Sequence, residues 1–383
     1  MSRQQQRKLS CSDALYAKQR GFQKRLQNYY KCSRAIQVNG LSNKLIQFRH
    51  GVKNMCVIYL MQEGSKGYKD QGRFVIERKD GTKSSVPLND VESVVIAQHA
   101  QITTQTIFDM LRRKVPVFYI DRDGKLVGTL TGGQGSLRML ERQFSGFSND
   151  KICLSLAKEV VRRKVAAQVA LLKYYKKRNK SEALMLAIKE LDGMQYGVGR
   201  VSAMDKLRGF EGIAARHYFS AFSEIITAPG WQWHGRRKRP AVDPINALLG
   251  YGYWFLEREV RIALAGTGLD CRIGFMHTNN GRKDSLVYDM MEPFRQKIID
   301  RFVLTMINKK VMTPENFYVE EGHCYLTAEG KTKWIVSYEE YMNKPVKEYG
   351  EQSPRQWILA EVQKFDRFIK VISSNIEKEG EMR

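Results

Sequence analysis

The strongest constraint on the fold is a change of hydrophobic period at TGGQGS, residues 131 to 136. Before it, from about residue 52, the chain runs in short β-branched and aromatic stretches: NMCVIYLM, GRFVIERKDGTKSSVPL, ESVVIA and VPVFYIDRDGKLVGTL. Runs of this kind, bounded by turn residues, are strands. The Asp-Gly pairs in KDGT and RDGK suit tight hairpin turns. One short helix, TTQTIFDMLRRK, interrupts the strands. TGGQGS is Gly-rich but lacks the Lys-Ser/Thr of a phosphate loop, so it reads as a linker.

Beyond the linker the period becomes helical. LSLAKEVVRRKVAAQVALLKYYKKR puts Leu154, Ala157, Val161, Val165, Val169 and Leu172 on one stripe, with basic residues over much of the remainder. Further helical stretches are SEALMLAIKELDGM, with Ser181 as its N-cap, LRGFEGIAARHYFSAFSEII, PINALLGYGYWFLEREVRIAL, SLVYDMMEPFRQKIIDRFVLTMI and RQWILAEVQKFDRFIKVISSNI. Between the last two, NFYVEEGHCYLTAEGKTKWIVSYEEYM reads as a small hairpin insertion. No internal repeat is visible. The expected fold class is α+β in two domains: a basic leader over 1–50, a small sandwich-like β domain over 51–131, a linker over 132–137, and a helical domain over 138–383 with the hairpin near 314–342.

Charge narrows the partner. Sixty-four Lys and Arg against forty Asp and Glu leave a formal charge of +24, which points to a polyanion, nucleic acid first. A generally basic, solvated surface is the plain alternative. Eleven of the basic residues lie in the first fifty positions, against one acid, Asp13; that leader is either a phosphate-binding arm or a solvated tail. There is no run of about 18 apolar residues for a membrane span and no signal-peptide core, so the expected location is the cytoplasm. Six scattered cysteines with no CxxC pair suit reduced thiols better than a zinc ribbon or a disulfide framework.

The chemistry concentrates in GFMHTNNGRKDSLVYDMMEPFR, residues 274 to 295. A helix beginning near Ser285 would carry Val287, Met290, Met291, Phe294 and Ile298 as an apolar stripe, which is core rather than a cofactor box. Asp289 and Glu292, three apart, would share a face roughly opposite that stripe, either solvated or turned to a wet cleft. His277 lies in the loop just before. One imidazole and one or two carboxylates make a hard N/O donor set suited to Mg²⁺ or Mn²⁺. Such a set needs another acid. Glu211, on a helix with Ala215, Phe219 and Phe222 as its apolar face, is a candidate, but spacing cannot show that it meets His277.

GFEGIAARHYF, RPAVDPINALLGYGYWFLEREV, GLDCRIGFMH and DSLVYDMMEPFRQKIIDR, in that order, resemble the successive signature blocks of the CRISPR-associated adaptation endonuclease and integrase family, the Cas protein numbered one. SVPLNDVESVVI and VPVFYIDRDGKLVGTL extend the resemblance through the β domain, to about residues 52 to 375 overall. The resemblance implies an N-terminal β domain, an all-helical catalytic domain, a homodimer, and a larger complex with the small second Cas protein. It also implies a divalent metal, Mg²⁺ or Mn²⁺, held by Glu211, His277 and Glu292, with Asp289 as an accessory acid. The activity it implies is phosphoryl transfer, in which the 3′-hydroxyl of a captured DNA fragment attacks a phosphodiester at the edge of a CRISPR repeat. A nuclease acting on branched or single-stranded DNA without integration, and a non-catalytic nucleic-acid scaffold, are the competing readings. The loop between His277 and Asp289 is one residue longer than the usual spacing, and the basic leader has no counterpart in the blocks.

The DNA would be met by basic residues near this centre. Arg236, Arg237, Lys238 and Arg239 form a patch in a Gly- and Pro-bounded loop just before a signature block; Arg282 and Lys283 lie in the loop after His277. Arg295 and Lys297 follow Glu292 closely, although an i to i+3 pair of Glu292 with Arg295 is the ordinary alternative. Tyr218 and Tyr251 would either stack or hydrogen-bond near the site or belong to the aromatic core.

Overall fold

A computed structural model describes residues 56–121, 126–132, 137–177, 179, 181–237, 240–277 and 284–381. The basic leader, the RDGK turn, most of the linker, Lys238, Arg239, Arg282 and Lys283 lie outside the described residues. The chain divides into two compact units, one over most of the strands before the linker and one over the helices after it together with residues 120–127.

The first unit holds β1 (Cys56–Leu60), β2 (Lys66–Asp70), β3 (Arg73–Glu77), β4 (Lys83–Pro87), β5 (Val91–Ala97), β6 (Gln101–Ile102), α1 (Thr104–Arg112), β7 (Val117–Ile120) and β8 (Leu126–Leu130). They form two four-stranded sheets, ordered β4-β3-β2-β6 and β1-β5-β7-β8. Ile58, Leu60, Phe74, Ile76, Val94 and Ile96, drawn from both sheets, share one buried cluster, which is the expected sandwich-like packing. The KDGT turn joins β3 to β4, as the Asp-Gly pair implies. Gly81 takes φ 80, and Asp80 Oδ1 accepts from the Thr82 amide at 2.9 Å. The β1–β5 pair is parallel, with Ile58 opposite Val94, and β5 is buried along nearly its whole length, as a covered parallel strand must be.

The second unit holds α2 (Leu137–Phe147), α3 (Asp150–Lys176), α4 (Glu182–Gly197), α5 (Met204–Ser220), α6 (Pro244–Ala265), α7 (Ser285–Met291), α8 (Arg301–Asn308), β9 (Phe317–Glu320), β10 (His323–Leu326), α9 (Ala328–Asn343) and α10 (Pro354–Glu381). Ser181 caps α4 as anticipated, accepting from the Leu184 amide at 3.2 Å. The hairpin is shorter than the span 314–342: β9 and β10 end at Leu326, and the rest is helix α9, capped by Thr327. Arg258, Glu259, Glu339 and Arg355 form a buried ionic cluster that ties α6 to α9 and α10. Among the described residues, no helix is long and apolar enough to cross a membrane.

Two departures from the expected pattern shape the site. The stretch from Ser285 to Asn308 is not one regular helix. Pro293 has no amide to donate, and α7 passes through a 3₁₀ turn over Glu292–Phe294 and a π-helical turn over Arg295–Asp300 before α8. The stripe of Val287, Met290, Met291, Phe294 and Ile298 is core as anticipated; of the two acids, Asp289 is fully buried, whereas Glu292, though largely buried, turns to a cavity. On α3, the expected stripe is buried except for the half-buried Leu154, and it also takes in Lys164 and Gln168.

Candidate active site

Glu211 on α5 and Glu292 in the 3₁₀ turn converge on one positive charge, the ammonium of Lys164 on α3. Lys164 Nζ donates to Glu292 Oε2 at 2.5 Å and makes a shorter bond to Glu211 Oε1. The other oxygen of Glu292, Oε1, accepts from Arg295 Nε at 3.0 Å. Burial alone would push the Glu292 carboxyl up; Arg295 and Lys164 outweigh it and hold that carboxyl far below the usual carboxylate range. Burial likewise pulls the Lys164 ammonium down, and Glu292 and Glu211 together more than reverse it. Buried charges of this kind persist only when each is paired.

His277 reaches the same cavity from the loop before α7. Its Nδ1 lies 2.5 Å from Asp289 Oδ1. A carboxylate oxygen can only accept, so Nδ1 carries the proton and Nε2 is left as the basic nitrogen. Asp289 does more than orient the ring. Its Oδ2 accepts from the amides of Phe275 at 2.7 Å and Met276 at 3.0 Å, and its Oδ1 accepts from the His277 amide at 3.0 Å. Gly274 is required for this approach, because a Cβ there would meet Asp289 Oδ2 at 2.6 Å and the Ser285 backbone at 2.8 Å. Arg208, one turn before Glu211 on α5, closes the loop from the other side: its Nε and Nη2 donate to Met276 O at 3.0 and 2.6 Å.

Asp289, expected as an accessory acid beside a metal, is placed to hold the His277 loop. It is fully buried, and both its oxygens are committed to the backbone and ring of the His277 loop. It is a positioning residue.

The basic and aromatic residues divide. Arg236 and Arg295 line the cavity, and both guanidinium groups lie over the ring of Tyr253, at 5.5 and 4.6 Å from its centroid. Arg236 also donates to Asn246 Oδ1 at 2.7 Å, whereas Arg237 is exposed. Arg295 makes the i to i+3 pair with Glu292 while still facing the cavity. Lys297 is not among the residues that line it: its ammonium sits 5.4 Å over the Trp357 ring. Tyr218 and Tyr251 are buried aromatics, and Tyr251 also lines the cavity. Tyr218 donates to Asp300 Oδ2 at 2.9 Å, and Tyr253 donates to Asp300 Oδ1 at 2.6 Å. On α5, Leu207, Ala214 and Tyr218 face the core, one position away from the expected Ala215 and Phe219, which line the cavity instead.

The cavity has a volume of about 1470 Å³. It brings together Glu211, His277 and Glu292, which spacing alone could not join. Lys164, Arg208 and Tyr253 are the residues that sequence reasoning missed. A signal for Lys164 was present: it stands three after Val161 and four before Gln168, on the buried stripe of α3 rather than its solvated face.

The family model described as CRISPR associated protein Cas1 matches residues 58–340. The CRISPR-associated endonuclease Cas1 1 of Archaeoglobus fulgidus is 32% identical over 287 residues, covering 70% of this chain and 83% of that protein. A CRISPR-associated exonuclease Cas4/endonuclease Cas1 fusion of Geobacter sulfurreducens is 31% identical over 300 residues. That match covers 75% of this chain, which spans only 53% of the fusion's length. Among solved structures, a casposase bound to its integration product superposes with a TM-score of 0.72 at 25% identity, covering 83% of this chain and 91% of the casposase.

Proposed function

Because the chain belongs to the Cas1 family of CRISPR-associated proteins, we propose that it is a metal-dependent DNA endonuclease and integrase of CRISPR adaptation, acting in the cytoplasm. In this reading it inserts captured DNA fragments into a CRISPR array. It works as a homodimer within a complex that contains the small second Cas protein. The observation that carries the reading is the convergence of Glu211 and Glu292 on a single cation in the cavity that His277 lines.

Among the described residues no three His, Cys, Asp or Glu side chains stand together as a ready metal site, and the chemistry of Glu211, Glu292 and His277 is what supports a divalent ion here. Two carboxylates already reach one positive charge, and the His277 ring, 42% exposed and fixed through Nδ1, offers Nε2 to the same cavity. Oxygen and imidazole donors of this kind suit Mg²⁺ or Mn²⁺. A bound ion would polarise a phosphodiester and offset the charge that develops on its oxygens.

The chain's own residues supply the rest. Arg295 fixes the rotamer of Glu292 through Oε1 and leaves Oε2 turned to the shared cation. Asp289 and Arg208 hold the His277 loop, so the imidazole is preorganised rather than searching. Arg236 and Arg295, stacked on Tyr253, place two delocalised positive charges in the cavity, suited to a phosphate that approaches the acids. The 3′-hydroxyl of the fragment would attack in line, and the repeat strand would leave.

A strand-transfer assay tests this, using Mn²⁺ or Mg²⁺, the second Cas protein, labelled fragment and a repeat-bearing plasmid. Fragment covalently joined to the repeat edge is the expected product. Nicking without joining would favour a plain nuclease, and neither product would favour a non-catalytic scaffold.

A further inference from the structure

Among the described residues, Lys164 is the one cation that touches both acids. Its ammonium is buried and bonded to Glu211 and Glu292, and Arg295 neutralises the other side of Glu292. The four side chains thus carry two negative and two positive charges, a balanced set in a place where an unpaired charge is costly. Lys164 also lines the cavity, so its head is not walled off from the site it bridges.

We infer that Lys164 is an exchangeable internal counter-cation: it holds Glu211 and Glu292 together until a divalent ion arrives, and it gives up its position between them when the ion binds. The inference rests on the metal-dependent reading above. Two physical facts require the exchange. The acids have one shared focus, and the ammonium occupies it at hydrogen-bond distance. A doubly charged ion beside an ammonium in a partly buried site meets strong repulsion, so both cannot hold that focus. The lysine stem is long and flexible, and a released ammonium stays within the same cavity, where a phosphodiester is the natural counter-charge. Lys164 is in this account a positioning residue for the empty acids and a phosphate contact for the loaded ones.

Occupancy by the lysine lowers apparent metal affinity in proportion to the time the focus is closed. Isothermal titration of the full chain with Mn²⁺, without DNA, is therefore the test, run on wild type, K164M and K164Q alongside thermal melts. K164Q keeps an amide to bond the carboxylates, and so remains informative if K164M folds poorly. Both variants are expected to bind Mn²⁺ tighter than wild type by about tenfold or more. Both should also melt lower without metal and gain more from it. Affinity equal to or weaker than wild type in both variants, with wild type binding normally, overturns the exchange while leaving the metal reading intact. No Mn²⁺ binding in wild type or in either variant overturns the metal reading and the exchange with it.

Discussion

His277 Nδ1 and Asp289 Oδ1 stand 2.5 Å apart, and Asp289 is the deeper of the two, fully buried behind the ring it orients. The relationship makes Asp289 the floor of the site. Removing it frees the imidazole and orphans three backbone amides. Asp289→Asn would turn an amide donor toward those N–H groups, so it should weaken Mn²⁺ affinity by about 10- to 100-fold, the usual cost of losing such a partner. Titration of the variant with Mn²⁺ checks this; an affinity equal to wild type would show that the His277 loop keeps its form without the carboxylate.

Arg208 is predicted to act the same way from α5. Arg208→Ala should lower Mn²⁺ affinity although no ligand is touched. Arg208→Lys should not restore it, because one ammonium cannot supply two donors in the planar geometry that Met276 O receives. Full rescue by lysine would reduce the role to simple charge.

Asp300 gives a pH signature. Burial raises its carboxyl to about 6, against the opposing hydrogen bonds of Tyr253 and Tyr218. A carboxyl raised on folding contributes stability that is present below its unfolded value near 4. That contribution is lost as pH climbs through about 6. Wild type should accordingly lose on the order of 2 to 3 kcal/mol across that window from this group. Asp300→Asn should flatten the slope. Melting curves between pH 4 and 7 decide it, and an unchanged slope in the variant would remove Asp300 as the cause.

The buried cluster of Arg258, Glu259, Glu339 and Arg355 should matter far more than surface pairs. Arg355→Ala leaves Glu259 and Glu339 with less positive charge than their burial requires, and should cost about 3 kcal/mol or more. Arg162→Ala breaks only an exposed pair with Glu159 on α3, and should change stability by less than about 1 kcal/mol. Urea unfolding of the two variants compares them directly.

Much of this was legible in the residues. The change of period at TGGQGS, the Asp-Gly turn at 80 and 81, the Ser181 cap and the Val287 to Ile298 stripe all follow from local rules, and local rules hold where neighbours in sequence decide the conformation. What escaped depends on contacts across the fold. Periodicity places Asp289 opposite a core stripe; it cannot know that the loop from Gly274 folds back over that face and buries it. Nor does it foresee that Pro293 breaks the helix, or that a lysine on an apolar stripe is there to meet two acids from helices distant in sequence. Glu211 joins His277 only through the fold, and the resemblance, not the spacing, named it.

Glu211, His277 and Glu292 are proposed to act together as one metal centre for joining DNA. The most direct measurement is strand transfer by Glu292→Gln with Mn²⁺, with fragment binding followed in parallel. The substitution keeps the size of the side chain and an oxygen for Arg295, and removes the charge shared with Glu211. Joining should disappear while fragment binding remains, and the melting transition should fall, because Lys164 and Arg295 lose the negative charge they share; joining at the wild-type rate would show that Glu292 holds no metal needed for the reaction.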